Sequence, residues 1–205
     1  MTVAAIVLAA GASTRMGYPK PLIQWGDQTL LRWELDQLER SSIDRIVVVT
    51  GSHSDDVRRS LGSAAAYCVF NSRWAHGRAG SLALGASALL DGDAPEAIVV
   101  VNVDQPTRAD IVDRLVEELR GADSDIVQPV YDGKSGHPVV LAGSLLDELV
   151  AVTDATLGLR AVLERHPAHS VAMDDEPVVR LDLDTPDTLD GARKLLGVPG
   201  GASPA

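Results

Sequence analysis

The segment that starts at Leu8 combines small residues with two cations, a combination suited to holding a polyphosphate. It reads Leu-Ala-Ala-Gly-Ala-Ser-Thr-Arg-Met-Gly-Tyr-Pro-Lys-Pro-Leu and ends at Leu22. The small residues up to Ser13 let backbone N–H groups approach a phosphate closely. Arg15 and Lys20 could bracket a triphosphate with two positive charges. A solvated turn is the alternative, but the segment follows a predicted first strand, where open α/β sheets bind their ligands.

Two common nucleotide-binding motifs do not describe this segment. Gly11 and Gly17 do not fit the spacing G-x-G-x-x-G, and the second predicted strand ends in Val-Thr-Gly at 49–51, without an acidic residue. Lys20 is followed by Pro21 and not by Ser or Thr, which excludes a Walker A loop.

Carboxylates at the ends of two other segments are candidates for a metal site. Asp104 follows the most hydrophobic predicted strand, and Asp182 and Asp184 alternate along a segment that leads into a helix. Oxygen ligands of this kind suit Mg²⁺. Asp104 could equally cap the helix that begins near Thr107, and the later pair could equally favour a helix N-terminus. Both interpretations stay open on the sequence.

A loop at 71–82 contains Asn71 and Ser81 and leads into a predicted helix, a natural contact for an anion or a ribose. Trp74 within it is more typical of a packing anchor than of a stacking platform. His137, in Gly-His-Pro, is a residue type that is most often structural, although on an edge strand beside a cleft it could face a substrate.

The elements that must position these residues alternate between strand and helix. Short β-branched runs predict strands at 4–8, 45–50, 66–70, 97–103 and 125–130, and apolar residues at helical spacing predict helices at 29–40, 55–61, 80–90 and 108–120. Continuous apolar strands are typical of a parallel sheet covered on both faces. The sequence therefore predicts an α/β fold with a Rossmann-like, doubly wound, mostly parallel sheet and helices on both faces.

After residue 130 this alternation breaks. The sequence predicts a strand at 136–141 on a sheet edge, because it begins beside Pro138. Helices at 144–150 and 155–165, a strand pair at 169–173 and 178–183, and a last helix capped by Thr185 follow. We expect one domain over residues 1–196 and a disordered tail at 197–205.

Composition narrows the function classes. The chain of 205 residues has a net charge of −11, of which −1 falls in residues 1–100 and −10 in residues 101–205. Such acidity argues against nucleic-acid binding, and an anion would bind in the nearly neutral first half. A single cysteine, Cys68, excludes an internal disulfide. With no apolar run long enough to span a bilayer and no signal peptide, we expect a cytoplasmic protein without a membrane partner.

Together these segments resemble the MobA-like nucleotidylyltransferases, and within them the molybdenum-cofactor cytidylyltransferase branch. The family's opening, L-A-A-G-x-S-x-R-M-G-x-x-K-x-L, is matched at every specified position from Leu8 to Leu22. Its segments D-Q-P, N-P-x-W-x-x-G, G-H-P-V and D-x-D-T-P-x-x-L occur at 104–106, 71–77, 136–139 and 182–189, with Ser72 in place of the usual Pro. The resemblance implies the fold of nucleotide-diphospho-sugar transferases.

The resemblance also implies an activity, the transfer of a nucleoside monophosphate from a nucleoside triphosphate to a terminal phosphate with release of pyrophosphate. Ala10 makes the opening L-A-A-G, as in members that use CTP, whereas members that use GTP usually have L-A-G-G. The implied acceptor is molybdopterin carrying molybdenum, and the implied partner is a molybdoenzyme or its insertion chaperone. Alternatives are another phosphorylated acceptor such as a sugar phosphate, a non-catalytic nucleotide-binding module, and a redox role.

The family's site residues map onto this chain as follows. Arg15, Lys20 and Asp104 would be catalytic, Asp104 and Asp184 would hold Mg²⁺, and Gln105 and His137 would contact the acceptor. The nucleotide would be bound by Leu8, Ala9, Ala10, Gly11, Ser13, Arg15, Lys20, Asn71 and Ser81. Whether Asp182 or Asp184 is the second metal ligand stays open.

Overall fold

A computed structural model describes residues 2–199, except for the side chains of Arg15, Ala66 and Pro186. Its strands are β1 Val3–Ala9, β2 Gln24–Trp25, β3 Gln28–Thr29, β4 Arg45–Thr50, β5 Cys68–Phe70, β6 Ala97–Asn102, β7 Ile126–Tyr131, β8 Lys134–Ser135, β9 Val139–Ala142 and β10 His169–Ala172. Its α-helices are α1 Leu30–Arg40, α2 Ser54–Leu61, α3 Ala79–Ala88, α4 Ala109–Gly121, α5 Leu146–Val150, α6 Leu159–Arg165 and α7 Pro186–Leu195.

One sheet takes up all of these strands except the small β2–β3 hairpin. Its order is β10-β7-β9-β6-β1-β4-β5, with β8 paired to β7. The strands β6, β1, β4 and β5 are parallel, β9 runs antiparallel to both β6 and β7, and β10 is parallel to β7. At the carboxyl end of β1, Leu8 pairs with Val49 on one side and Asn102 on the other, so three strand ends meet beside the first motif.

The two faces of the sheet are each covered by helices. Alternate residues of β1 point to opposite faces, so Ala5 and Val7 join one buried cluster while Ala4 and Ile6 join the other. The first cluster packs against α1 and α4, and the second against α3, α5 and α6. This layering confirms the predicted fold class. In the described part of the chain, no helix has both the length and the apolarity required to cross a bilayer.

The strand predicted at 136–141 is not an edge strand. It becomes β9, which lies between β6 and β7 in the middle of the sheet. Pro138 comes immediately before the first paired residue, Val139, so its missing N–H removes no hydrogen bond from the ladder. The Pro signal therefore marked the start of a strand and not its place in the sheet.

Three other boundaries differ from the prediction. Residues 178–183 form no strand, because Pro177–Arg180 is a 3-10 helix, and β10 pairs with β7 instead. The strand predicted at 66–70 begins at Cys68, after a 3-10 helix at Gly62–Tyr67. The helix predicted at 155–165 divides into a 3-10 turn, Asp154–Thr156, and α6.

The end of the chain follows α7, whose N-cap is Thr185 as predicted. The N–H of Val198 donates to the carbonyl of Arg193, and the side chain of Val198 packs against the first core cluster. The packed chain thus extends past the boundary that we expected at 196. Of the expected tail, residues 200–205 lie outside the described residues.

Candidate functional site

A cavity of about 220 Å³ lies at the carboxyl ends of β1 and β6, and the first motif forms one of its walls. Residues predicted to bind the nucleotide that line it are Leu8, Ala9, Ala10, Gly11, Ser13, Lys20 and Ser81. Residues from the other segments that line it include Trp74, Gly77, Arg78, Asp104 and Asp184. The ends of parallel strands have thus brought together side chains that are far apart in the sequence.

The wall formed by the first motif is held in place by two local contacts. Ser13 adopts a left-handed backbone conformation, with φ at 53°, and its Oγ accepts a hydrogen bond of 3.0 Å from the N–H of Lys20. Behind the wall, a Cβ on Gly51 would lie 2.6 Å from the carbonyl oxygen of Ala10 and 2.5 Å from Cβ of Trp74. Only glycine fits there. This role of Gly51 was missed in the sequence, where a glycine directly after a parallel strand was the available signal.

Three carboxylates and one ammonium group meet at the mouth of this cavity. Lys20 Nζ lies 2.8 Å from Asp104 Oδ2 and 2.7 Å from Asp184 Oδ1. One oxygen from each of Asp104, Asp182 and Asp184 lies within 4.8 Å of the others. The N–H of Leu183 donates to the carbonyl of Asp104 over 2.8 Å, which fixes the later carboxylates beside the end of β6.

This geometry bears on one of the two interpretations of Asp104, that of a helix cap. The N-cap of α4 is Arg108 and not Asp104, whose side chain instead binds Lys20. A role as a helix cap is therefore excluded for Asp104.

The charges at the mouth shift the pKa values of two groups. Burial alone would lower the pKa of Lys20, but hydrogen bonds to Asp104 and Asp184 outweigh it, so the pKa is raised. The pKa of Asp182 is raised by burial and by the negative charges of Asp104 and Asp184. Close carboxylates that repel one another favour a bound cation, and their oxygens are the donors that Mg²⁺ prefers. A carboxylate has about four lone pairs, so binding Lys20 does not exclude binding a metal ion.

The loop at 71–82 contributes less directly than predicted. The amide Nδ2 of Asn71 donates to Ser81 Oγ over 2.9 Å, and its Oδ1 accepts from the N–H of Arg73 over 2.9 Å. Asn71 is buried and does not line the cavity, so the structure does not bring it to the nucleotide site. Ser81 does line it. Trp74 packs against the second core cluster, as predicted, and also borders the cavity.

A second cavity, of about 490 Å³, adjoins the first, and Leu8 and Arg78 belong to both walls. It contains His137 and Gln105, the two residues predicted to contact the acceptor. Burial, together with the nearby charge of Arg78, lowers the pKa of His137 to about 4, so this imidazole is neutral at pH 7. Arg78 was missed in the sequence, where a cation at a helix start in an acidic chain was the only signal. The side chain of Arg15 lies outside the described part of the structure.

Residues 5–171 match the sequence profile of the MobA-like NTP transferase domain. The chain belongs to the MobA-like NTP transferase family. It is therefore a nucleotidyltransferase, and the cavity walled by the first motif lies where this fold binds its ligands.

Similar proteins extend this finding over nearly the whole chain. The molybdenum cofactor cytidylyltransferase of Escherichia coli (strain K12) is 27% identical over 184 residues, which cover 89% of this chain and 91% of that protein. The molybdenum cofactor guanylyltransferase of Rhizobium johnstonii is 31% identical over 209 residues, covering 95% and 93%. The crystal structure of Rv0371c from Mycobacterium tuberculosis H37Rv superposes with a TM-score of 0.78 at 26% identity, covering 95% of this chain and 98% of that one. Rv0371c has also been determined in complex with manganese.

Proposed function

We propose that this MobA-like enzyme transfers CMP from CTP to the terminal phosphate of a molybdopterin-type acceptor and releases pyrophosphate, with Mg²⁺ bound at Asp104 and Asp184. The observation that carries the proposal is the contact of Lys20 with Asp104 and Asp184, close to Asp182, at the mouth of a cavity walled by small residues. The second cavity beside it supplies room for an acceptor. An enzyme of this kind must bind two phosphorylated substrates side by side.

The two relatives described above agree on the acceptor and differ on the base. Both are named for the molybdenum cofactor, one as a cytidylyltransferase and the other as a guanylyltransferase. The choice of CTP rests on Ala10, which lines the first cavity and whose methyl group narrows the space left for a base. One methyl-sized contact changes discrimination by about 10- to 200-fold.

The residues of the chain suit this reaction because it needs positioning more than proton transfer. The acceptor's phosphate oxygen is already ionised at neutral pH, so no side chain has to deprotonate it. That oxygen bonds to the α-phosphorus while the bond from this phosphorus to the pyrophosphate oxygen breaks, and pyrophosphate leaves with the electron pair. Lys20 has three N–H donors, of which Asp104 and Asp184 take two, so the third can bind the departing phosphates. A bound Mg²⁺ would add charge neutralisation on the triphosphate.

The experiment is an assay of pyrophosphate release in which CTP and GTP are each combined with molybdenum cofactor, N-acetylglucosamine 1-phosphate or no acceptor. We expect turnover with CTP and molybdenum cofactor only, and the cytosine dinucleotide as the product. Faster turnover with GTP would overturn the choice of base. Release with the sugar phosphate would overturn the choice of acceptor. Tight CTP binding with no pyrophosphate release under any combination would overturn the proposed catalysis and favour a binding module.

A further inference from the structure

We propose that Arg78 binds the phosphate of the acceptor at the border of the two cavities, and that the second cavity takes a phosphomonoester whose body has an apolar face. This inference rests on the proposed nucleotidyl transfer, because it assigns the phosphate that attacks. Neither the predicted site residues nor the first motif includes Arg78.

Arg78 lies between the two cavities. It is the N-cap of α3 and lines both cavities, the first beside Lys20 and Asp104 and the second beside Gln105 and His137. A phosphate that attacks the α-phosphorus must lie where the nucleotide and acceptor sites meet. Among the residues whose side chains are described, Arg78 is the cation that lines both cavities.

The charged side chains around the second cavity differ in whether they already have a partner. Among the described residues, Arg78 makes one hydrogen bond, from Nη2 to Asn102 Oδ1 over 3.1 Å, and no ion pair. The other arginine of this wall, Arg160, is paired with Glu164 over 2.9 Å. The one carboxylate of the wall, Asp154, accepts a hydrogen bond from the N–H of Ala79 over 3.1 Å at the start of α3. The negative charge of Asp182 lies close enough to interact with Arg78 but forms no ion pair with it, so the remaining N–H groups of Arg78 can bind a ligand.

The orientation of Arg78 is set by the loop that carries Asp104. Asn102, the last residue of β6, accepts from Arg78, and its own Nδ2 donates to Gln105 Oε1 over 2.6 Å. Asp104 lies between these two residues in the sequence. One short segment thus positions both Arg78, which would hold the acceptor's phosphate, and Asp104, which contacts Lys20 beside the nucleotide's phosphates. This arrangement suits two phosphates that must react with each other.

The rest of the wall indicates which kind of chemical group carries the acceptor's phosphate. Apolar side chains cover part of this wall, namely Leu8, Leu82, Val100, Leu157, Leu159 and Leu163. Against that part of the wall, a hexose would lose the hydration of its hydroxyl groups without gaining hydrogen bonds. A ring system with an apolar face fits it, and the amide of Gln105 and the imidazole of His137 can pair with polar atoms at the ring's edge.

The test measures binding and does not need turnover. Phenyl phosphate and glucose 1-phosphate are titrated by calorimetry into the full chain saturated with Mg²⁺ and a CTP analogue that has a methylene group between its α- and β-phosphorus atoms. We expect phenyl phosphate to bind the wild type at least about tenfold more tightly than glucose 1-phosphate. Arg78→Met should weaken phenyl phosphate binding by about 10- to 100-fold, the usual effect of losing a charged hydrogen-bond partner, and leave the Kd of the CTP analogue unchanged.

Arg73→Met is the matched control, because Arg73 lies in the same loop, is exposed and lines neither cavity. It should bind both probes as the wild type does. If Arg78→Met weakens the CTP analogue and not phenyl phosphate, Arg78 serves the nucleotide and the inference is wrong. If glucose 1-phosphate binds as tightly as phenyl phosphate, the assigned acceptor class is wrong. Failure of the pyrophosphate-release assay with these binding results intact would contradict the proposed function alone.

Discussion

Lys20 is almost buried, with 8% of its surface exposed, and its charge is matched by two carboxylates from other segments of the chain. An isolated buried ammonium would be costly, whereas this one is hydrogen-bonded to Asp104 and Asp184 and retains its proton. Its backbone N–H is bound to Ser13, which fixes the backbone of Lys20 against the first motif. A fixed cation of this kind stabilises charge that develops during a reaction.

Lys20→Ala should lower kcat for pyrophosphate release by about 10²- to 10³-fold, the scale of losing one preorganised electrostatic group. The substitution also leaves Asp104 and Asp184 without their cation. Lys194→Ala, at an exposed position on α7, is the control and should keep the wild-type rate. Steady-state assays with saturating CTP measure the effect. A Lys20→Ala variant that turns over as fast as the control would remove Lys20 from the reaction.

Asp104→Asn should raise the Mg²⁺ concentration needed for half-maximal activity by at least about tenfold, because the amide keeps the shape but loses the negative charge. Asp110→Asn is matched to it, since Asp110 lies in the first turn of α4 and pairs with Arg108 at the surface. Titration of activity with Mg²⁺ separates the two variants. Equal midpoints for both would mean that Asp104 holds no metal ion.

At the scale of elements, α3 packs directly on the sheet and carries Ser81 to the first cavity. Gly85 permits this packing, since a Cβ there would lie 2.5 Å from Cγ2 of Ile6 and 3.0 Å from Cγ2 of Val49. The position of α3 therefore depends on the lack of a side chain at Gly85. Arg78, the N-cap of α3, depends on it as well.

Gly85→Ala should destabilise the protein by about 1–3 kcal/mol, the cost of overpacking a core. In Gly191→Ala, on α7, the new methyl group meets nothing within 4 Å. That variant should gain about 0.5–1 kcal/mol, because alanine loses less backbone entropy in a helix. Urea unfolding of both variants gives the two free energies. The packing argument fails if both substitutions stabilise.

The elements also show which parts of the architecture a sequence can predict. The buried strands β1, β4 and β6 follow from local apolar runs, and Leu8–Ser13 follows from residue type. The place of β9 between β6 and β7 depends on pairing between distant segments, about which Pro138 carries no information. The contact of Lys20 with Asp184 joins residues 164 positions apart, so the motifs indicated which residues matter but not that this ammonium binds those carboxylates. Arg78 lies in the loop at 71–82, which the sequence indicates as an anion contact, but its position between two cavities depends on the packing of distant segments.

At the scale of the whole molecule, two groups make the free energy of unfolding depend on pH in opposite directions. Burial is the first cause in each case, and it favours the neutral form. It lowers the pKa of His137 to about 4, with Arg78 and Arg180 adding repulsion and Asp104 acting against it. It raises the pKa of Glu34 well above 4.5, against a hydrogen bond of 3.4 Å from the N–H of Thr107.

For His137, the unfolded chain binds a proton near pH 6.5 and the folded chain only near pH 4. Stability is therefore greatest above pH 6.5 and falls as the pH drops towards 4, by up to about 3 kcal/mol. His137→Gln cannot titrate, so the loss of stability between pH 7 and pH 4.5 should shrink by about 2 kcal/mol. Urea unfolding of wild type and variant at both pH values measures it. An equal loss in both proteins would contradict a neutral His137.

Glu34 has the opposite sign, because its folded pKa is raised: the unfolded chain releases the proton above pH 4.5 while the folded chain retains it. Below pH 4.5 Glu34 does not change the free energy of unfolding with pH, and stability is lost as the pH rises from there towards the folded pKa.

Glu34→Gln keeps the size and the acceptor for Thr107 but cannot ionise in either state. The free energy of unfolding of the variant relative to wild type should therefore increase from pH 5 to pH 8. The comparison between pH values within one variant cancels any change in packing. Glu39→Gln, at the exposed end of α1, is the control and should show no such increase. A constant difference between wild type and Glu34→Gln across this range would mean that Glu34 ionises in the folded protein despite its burial.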